Sequence, residues 1–287
     1  MSQRLLPLVA CHDNIASYQE PAYYADLGFN AVVFEGLGYG TGTPDPEATQ
    51  TALDAVGVEL IPEVQGLGHH GPAALDPEAL EVVGQTATCP ALARTYERVY
   101  QTMAKVINQD TKRIHIGCDE VRYINLNSAC LATGKTNAEL YAAYVRGCYR
   151  MARHFNSNIQ VMMWADNMQP ATQIWSYLKV TEALAHIPKE VILCMWNYGY
   201  DDYDDEGNWF LNTSRLATRI PLSIQWARHS RHKFTGSPRY ESVGCNLWMS
   251  NLKNAYGSGA DCLGVIATNW GGSRAGDAIV TSLAYGD

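Results

Sequence analysis

Eight short apolar, β-rich runs alternate with helical stretches along the whole chain, and this alternation constrains the fold more than any other feature. The runs fall at residues 5–11, 30–35, 58–64, 113–118, 159–164, 191–196, 222–226 and 262–268. Strands separated by helices pair in parallel, because a parallel neighbour can be reached only by a crossover, and near-continuous apolar strands are buried on both faces. The clearest intervening helix opens on a capping box, Thr136-Asn137-Ala138-Glu139. It then places Leu140, Tyr144, Val145, Cys148, Met151, Ala152 and Phe155 on one stripe. Further helices are expected at 17–27, 45–56, 90–108, 172–186, 208–219, 240–256 and 276–285. Eight such units in 287 residues predict an α/β fold, a (β/α)8 TIM barrel. No low-complexity linker or composition shift marks a second domain, so residues 1–287 are expected to form one catalytic barrel domain.

A hydrophobic content of 47% supplies ample core, while only 17% of residues are charged and the net charge is -8. With no basic cluster, nucleic acid and anionic membrane surfaces are disfavoured as partners. No segment approaches the roughly 20 apolar residues of a membrane span. The stretch Met1-Ser2-Gln3-Arg4-Leu5-Leu6-Pro7 is too soon broken for a signal peptide, so a cytoplasmic location is expected. The eight cysteines (11, 89, 118, 130, 148, 194, 245 and 262) include no Cys-x-x-Cys pair and are expected to be mostly buried thiols, since a barrel of this size needs no disulfide staple. Nothing in the sequence bears on oligomeric state.

In such a barrel the chemistry sits on loops after the C-terminal ends of the strands. The expected strand ends read Cys11-His12-Asp13-Asn14, Phe34-Glu35-Gly36, Pro62-Glu63-Val64-Gln65-Gly66-Leu67-Gly68-His69-His70, Asp119-Glu120, Trp164-Ala165-Asp166-Asn167, Trp196-Asn197-Tyr198-Gly199, Gln225-Trp226-Ala227-Arg228 and Thr268-Asn269-Trp270-Gly271-Gly272. Trp164, Trp196, Trp226 and Trp270 would then close strands five to eight as an aromatic box around an apolar or sugar-ring face. Within His115-Ile116-Gly117-Cys118-Asp119-Glu120, two adjacent carboxylates discourage each other's ionisation, which favours keeping one protonated for acid catalysis. His115, further down the strand, is expected to be a hydrogen-bonded core residue. His12, Asp13, His69 and His70 could offer metal ligands, but there is no His-x-His pair and no His-Glu-x-x-His helix, so no metal is expected. No glycine-rich phosphate loop stands out, and no organic cofactor is expected.

These motifs resemble glycoside hydrolase family 20, the β-N-acetylhexosaminidases, and most closely the small single-domain hexosaminidase D type. The resemblance rests on five segments in order: Ile61-Pro62-Glu63-Val64-Gln65-Gly66-Leu67-Gly68-His69, His115 to Val121, Trp164-Ala165-Asp166, Trp196-Asn197-Tyr198-Gly199 and Thr268-Asn269-Trp270. It implies a retaining exo-hydrolase in which the substrate's own 2-acetamido oxygen is the nucleophile and an oxazoline is the intermediate. Glu120 would protonate the leaving oxygen and later deprotonate water. Asp119 would accept the acetamido N–H, and Tyr198 would steady the acetamido oxygen. His69, backed by Glu35, would form a relay to Glu120.

The family's larger members carry acidic residues after strands seven and eight that hold sugar hydroxyls, and this chain has neither segment. Asp166, Asn197 and Arg228 are candidates to replace them. Strand one offers His12 and Asp13 where many members place an arginine. The expected substrate is a small carbohydrate or glycoconjugate with a terminal β-linked N-acetylhexosamine. The rival readings are a non-catalytic carbohydrate-binding barrel and a barrel glycosidase of different specificity.

Overall fold

The computed structural model describes residues 7–12, 20–39, 43–69, 76–170, 178–197, 202–203, 209–210, 213–238, 242–259 and 261–269. Among these described residues ten strands follow in chain order: β1 (Leu8–His12), β2 (Ala31–Glu35), β3 (Glu59–Glu63), β4 (Arg113–His115), β5 (Gln160–Trp164), β6 (Ile192–Trp196), β7 (Asp202–Tyr203), β8 (Trp209–Phe210), β9 (Phe234–Ser237) and β10 (Cys262–Asn269). All except β7 and β8 close into one parallel barrel, in which β6 pairs with β9 and β10 pairs back on β1. β7 and β8 pair antiparallel with each other. The helices are α1 (Pro21–Asp26), α2 (Pro46–Asp54), α3 (Ala93–Val106), α4 (Ser128–Leu131), α5 (Asn137–Phe155), α6 (Thr213–Ser230) and α7 (Ser242–Gly257). Between β5 and β6 the described residues form a 3-10 turn at Thr181–His186. The fold is a single-domain TIM barrel.

Alternation along each strand divides the core in two. Val9, Cys11, Ala31, Val33, Ile61, Met162, Trp164, Ile192, Cys194, Trp196 and Ile266 meet one another inside the barrel. The residues between them, among them Val32, Leu60, Val161, Leu193 and Val265, face outward and pack with the helices. The capping box forms as expected: Thr136 accepts from the Glu139 N–H and Glu139 accepts from the Thr136 N–H.

Two expectations are overturned. Residues 222–226 are not a strand: they lie inside α6, where Leu216, Ile220, Ile224 and Ala227 are buried at helical spacing while Leu222 is exposed. The apparent alternation in Leu222-Ser223-Ile224-Gln225-Trp226 was accidental, and Pro221, which reads as a breaker, is carried within the helix. The seventh barrel strand is instead β9, Phe234-Thr235-Gly236-Ser237. Three of its four residues are small or polar, and two of these, Thr235 and Ser237, are buried on the interior side. Among the cysteines, Cys89 and Cys130 form a disulfide with Cα atoms 6.4 Å apart, and the other six are buried thiols. The helix expected at 276–285 lies outside the described residues, as does the first part of the one expected at 172–186. Among the described residues no helix is long and apolar enough to cross a membrane.

Candidate active site

The C-terminal ends of β3, β4 and β5 bring the chemistry together. β4 stops at His115, and beyond it the backbone leaves the extended region: Gly117, Cys118 and Glu120 have φ of 64°, 75° and 43°. A continued strand would send Asp119 and Glu120 to opposite faces, whereas these left-handed residues break the alternation and let both side chains converge. His69 Nε2 lies 3.4 Å from Asp119 Oδ2 and 3.2 Å from Glu120 Oε2. The loop bearing His69 approaches so closely that a Cβ on Gly68 would fall 1.9 Å from the Asp119 carbonyl oxygen, and only glycine fits there.

The strained turn is held from below. Tyr141 Oη and Asn167 Nδ2 each donate to the Cys118 carbonyl at 3.0 Å. The Glu120 N–H donates to Asp166 Oδ2 at 3.0 Å, and Asn167 Nδ2 donates to the same oxygen at 3.1 Å. Asp166, 2% exposed, thus supports the backbone of Glu120. Burial pushes its carboxyl well above the usual range, and the charge of Asp119 adds to the effect.

The electrostatics divide the two carboxyls in the direction opposite to that needed for Glu120 as a resting acid. Burial raises Asp119 to about 6 against the pull of His69, with Glu63 and Glu120 pushing the same way as burial. Glu120 is held below the usual range, first by the hydrogen bond from His69 and then by the charges of His69 and of Arg122, whose guanidinium lies 3.3 Å from Oε2. The hydrogen bond with Glu120 raises His69 to about 10 despite partial burial, and the charges of Asp119, Glu120 and Glu35 contribute. At neutral pH the proton nearest Glu120 therefore rests on His69 Nε2, one hydrogen bond away.

Beneath the pair runs a buried polar chain centred on Gln65 and Glu63. Gln65 Nε2 donates to Asp119 Oδ1 at 2.5 Å and to Glu63 Oε1 at 3.1 Å. Trp164 Nε1 donates to Glu63 Oε1 at 2.9 Å, and His115 Nδ1 lies 3.2 Å from it. Glu35, Glu63 and His115 are successive register partners across β2, β3 and β4. His115 is wholly buried, as expected, with its ring 4.5 Å from that of Trp164. Burial opposes its charge, but Glu63 and the Cys194 sulfur outweigh that and lift it to about 10. Tyr39 Oη donates to the Glu63 carbonyl at 3.3 Å and accepts from the Gln65 N–H at 2.7 Å, joining the β2–α2 loop to the end of β3. Gln65 and Glu63 were visible as polar residues in an otherwise apolar strand end, and Arg122 as a cation two residues past Glu120. Nothing local marked Tyr39.

The remaining candidates are less concentrated. Trp164 and Trp196 close β5 and β6, and both are buried in the barrel interior. Trp226 and Arg228 sit on α6, so they leave the strand-end set. Arg228 is exposed and lines a groove between α6 and α7 with Gln225, His229, Asn251 and Asn254. The expected box of four tryptophans at equivalent positions is therefore corrected. Asn197 is buried at the end of β6, and its carbonyl accepts from Trp248 Nε1 at 3.1 Å. His12 ends β1, but its side chain, together with Asp13, His70, Tyr198 and Trp270, lies outside the described residues. Among the described residues, the cluster able to offer three metal ligands is Glu81 with Cys89 and Cys130. There the sulfurs are bonded to each other and Glu81 accepts the N–H groups of Asn125, Leu126 and Asn127.

No family model matches the chain, and no curated protein matches it in sequence. Solved structures do share its fold. The glycoside hydrolase domain of PelA from Pseudomonas aeruginosa is 10% identical with a TM-score of 0.55, over 94% of this chain and 96% of that one. The structure of XacCel5A is 11% identical with a TM-score of 0.56, over 98% of this chain and 99% of that one. An O-GlcNAc hydrolase from Thermobaculum terrenum is 11% identical with a TM-score of 0.58, over 98% of this chain and 59% of that one. At these identities the likeness is one of fold: the chain is a TIM barrel built like these hydrolases.

Proposed function

We propose that the protein is a glycoside hydrolase, and within that class a retaining exo-β-N-acetylhexosaminidase that releases terminal β-linked N-acetylglucosamine or N-acetylgalactosamine. The observation that carries this reading is the meeting of Asp119 and Glu120 on one imidazole nitrogen, that of His69. Oxygens 3.4 and 3.2 Å from one shared nitrogen can reach only the lower edge of the roughly 6.5–9.5 Å separation that an inverting pair uses to fit a water between them, which favours a retaining course. They suit two different tasks on one side of a sugar: one proton donor and one acceptor of an amide N–H. The fold shared with hydrolases named for glycosidic substrates supports the same class.

Glu120 gives its proton to the glycosidic oxygen as the C1–O bond breaks, and the substrate's acetamido oxygen closes on C1 to form an oxazoline. Asp119 accepts the acetamido N–H and stabilises the positive charge that develops on it. Glu120 then takes a proton from water as the water attacks C1 and the oxazoline opens, so two inversions give net retention. Because Glu120 rests ionised, its proton must arrive from His69 Nε2 across the 3.2 Å contact as substrate displaces water. Tyr198 is assigned to the acetamido oxygen, Asn197, Trp196 and Trp270 to the sugar-binding surround, and Asp166 to holding the Glu120 backbone, while Glu35 supports the charge on His69.

The test is release of nitrophenol from the β-N-acetylglucosaminide and β-N-acetylgalactosaminide by the wild type and by Glu120→Gln. The variant is expected to lose about 100-fold or more in kcat, the usual contribution of a positioned acid. A folded wild type that turns over neither sugar would move the assignment to a carbohydrate-binding barrel or to a glycosidase of other specificity.

A further inference from the structure

This inference rests on the N-acetylhexosaminidase reading and assigns a role to a residue that the reading leaves unused. Gln65 is 2% exposed, and both its amide nitrogen and its amide oxygen are engaged. Nε2 donates to Asp119 Oδ1 and Glu63 Oε1, and Oε1 accepts the Cys118 N–H at 3.2 Å. Only one orientation of the amide satisfies these partners, since a flip would set its oxygen against two carboxylate oxygens and its N–H against an N–H. The seat is shaped for it: a Cβ on Gly117 would lie 1.9 Å from Gln65 Oε1. The Gln65 backbone is fixed by Tyr39 Oη.

We propose that Gln65 is a positioning residue that occupies Asp119 Oδ1 and so presents Asp119 Oδ2 to the 2-acetamido N–H of the substrate. Glu63, clamped by His115 and Trp164, anchors Gln65 from the barrel interior. An amide N–H can only donate, so it favours the carboxylate of Asp119 over the acid and opposes the burial that raises it. The titratable groups facing Asp119 are Glu63 from β3, His69 from the loop after it, Glu120 and Cys118 from its own turn, Tyr141 from α5, Asp166 from the end of β5 and Tyr39 from the β2–α2 loop. Replacing Gln65 deletes none of them.

The test uses Gln65→Leu, which removes the donor, and Gln65→Glu, which keeps the shape and replaces the donor with an acid. Asp119 is followed by carbon NMR of aspartate carboxyls, identified by its loss in Asp119→Asn. Both variants are expected to move its titration above the wild-type position near 6 and to carry the acidic limb of the kcat profile upward with it. Both are expected to lower kcat about 10- to 100-fold with little change in KM, as for a lost hydrogen bond to a charged group. An Asp119 titration that stays in place in either folded variant overturns the proposal, whatever the activity. A wild type inactive on both N-acetylated glycosides overturns the substrate clause instead, and the NMR titration still decides the link between Gln65 and Asp119.

Discussion

His69 is the residue on which the site's proton balance turns, because one nitrogen serves two carboxyls that titrate in opposite directions. Activity needs Asp119 ionised and one proton shared between His69 and Glu120. With Asp119 raised to about 6 and His69 to about 10, kcat/KM should fall below about pH 6, as Asp119 gains a proton, and again as pH rises toward 10, where the pair loses the shared one. In His69→Gln the store of that proton is gone, so the alkaline limb should drop into the carboxyl range. Activity at pH 7 should then fall by about 100-fold, the optimum moving acidic. A variant profile whose alkaline limb stays near that of the wild type would refute the shared proton. His69, Asp119 and Glu120 meet as expected from the sequence, which left open which of the two carboxyls is raised. The division between them depends on burial and on the hydrogen bond from His69, with Arg122 adding to it, none of which a dipeptide reveals.

At the scale of elements, the two loops that carry the catalytic candidates are tied to each other twice. The disulfide joins Cys89, in the segment between β3 and α3, to Cys130 in α4, across a separation of 41 residues. Glu81 adds a second tie by capping the N–H groups of Asn125, Leu126 and Asn127. By the loop-entropy argument a link of this span is worth about 4 kcal/mol. The double variant Cys89→Ser/Cys130→Ser should therefore unfold in urea with a free energy lower by about 3–4 kcal/mol. A loss below about 1 kcal/mol, the scale of an ordinary surface change, would mean that the bridge does not constrain the chain. This pairing was illegible in the sequence because Cys89 and Cys130 sit in irregular segments that only the pairing of β3 with β4 and the path of the loops beyond them bring together. Elements with a strong local signal read well: the α5 capping box and the apolar runs of β2, β3, β5 and β6 appear where expected. The seventh strand was missed because β9 spends half its residues on small and polar side chains facing the interior, while α6 imitates a strand over five residues.

For the molecule as a whole, the barrel interior works as a polar column that couples stability to pH. From Asp119 through Gln65 to Glu63, His115 and Trp164, hydrogen bonds and close polar contacts run from the mouth into a lumen otherwise filled by apolar side chains. His69 and His115 titrate near 10 in the fold against 6.5 in the unfolded chain, so the folded state binds more protons across that interval. Their contribution is complete below about pH 6.5 and is lost as pH rises through 10. Asp119, raised from 3.8 to about 6, has the same sign at lower pH: the fold favours its protonated form, and that advantage disappears by about pH 6. Glu120, held low, acts oppositely but only as pH falls through its own acidic range. Above pH 6.5 the two histidines set the slope together with Asp166, whose carboxyl is raised well above its usual range, and toward pH 9 with the raised thiols of Cys118, Cys148 and Cys262, all of the same sign, so the urea midpoint should decline steadily from pH 7 to pH 9.5 with an unchanged m-value. In His69→Gln the decline should be shallower but not absent, because His115 remains. A midpoint flat across this range in the wild type would mean that neither histidine holds its proton in the fold, and the shared-proton account of His69 and Glu120 would fall with it.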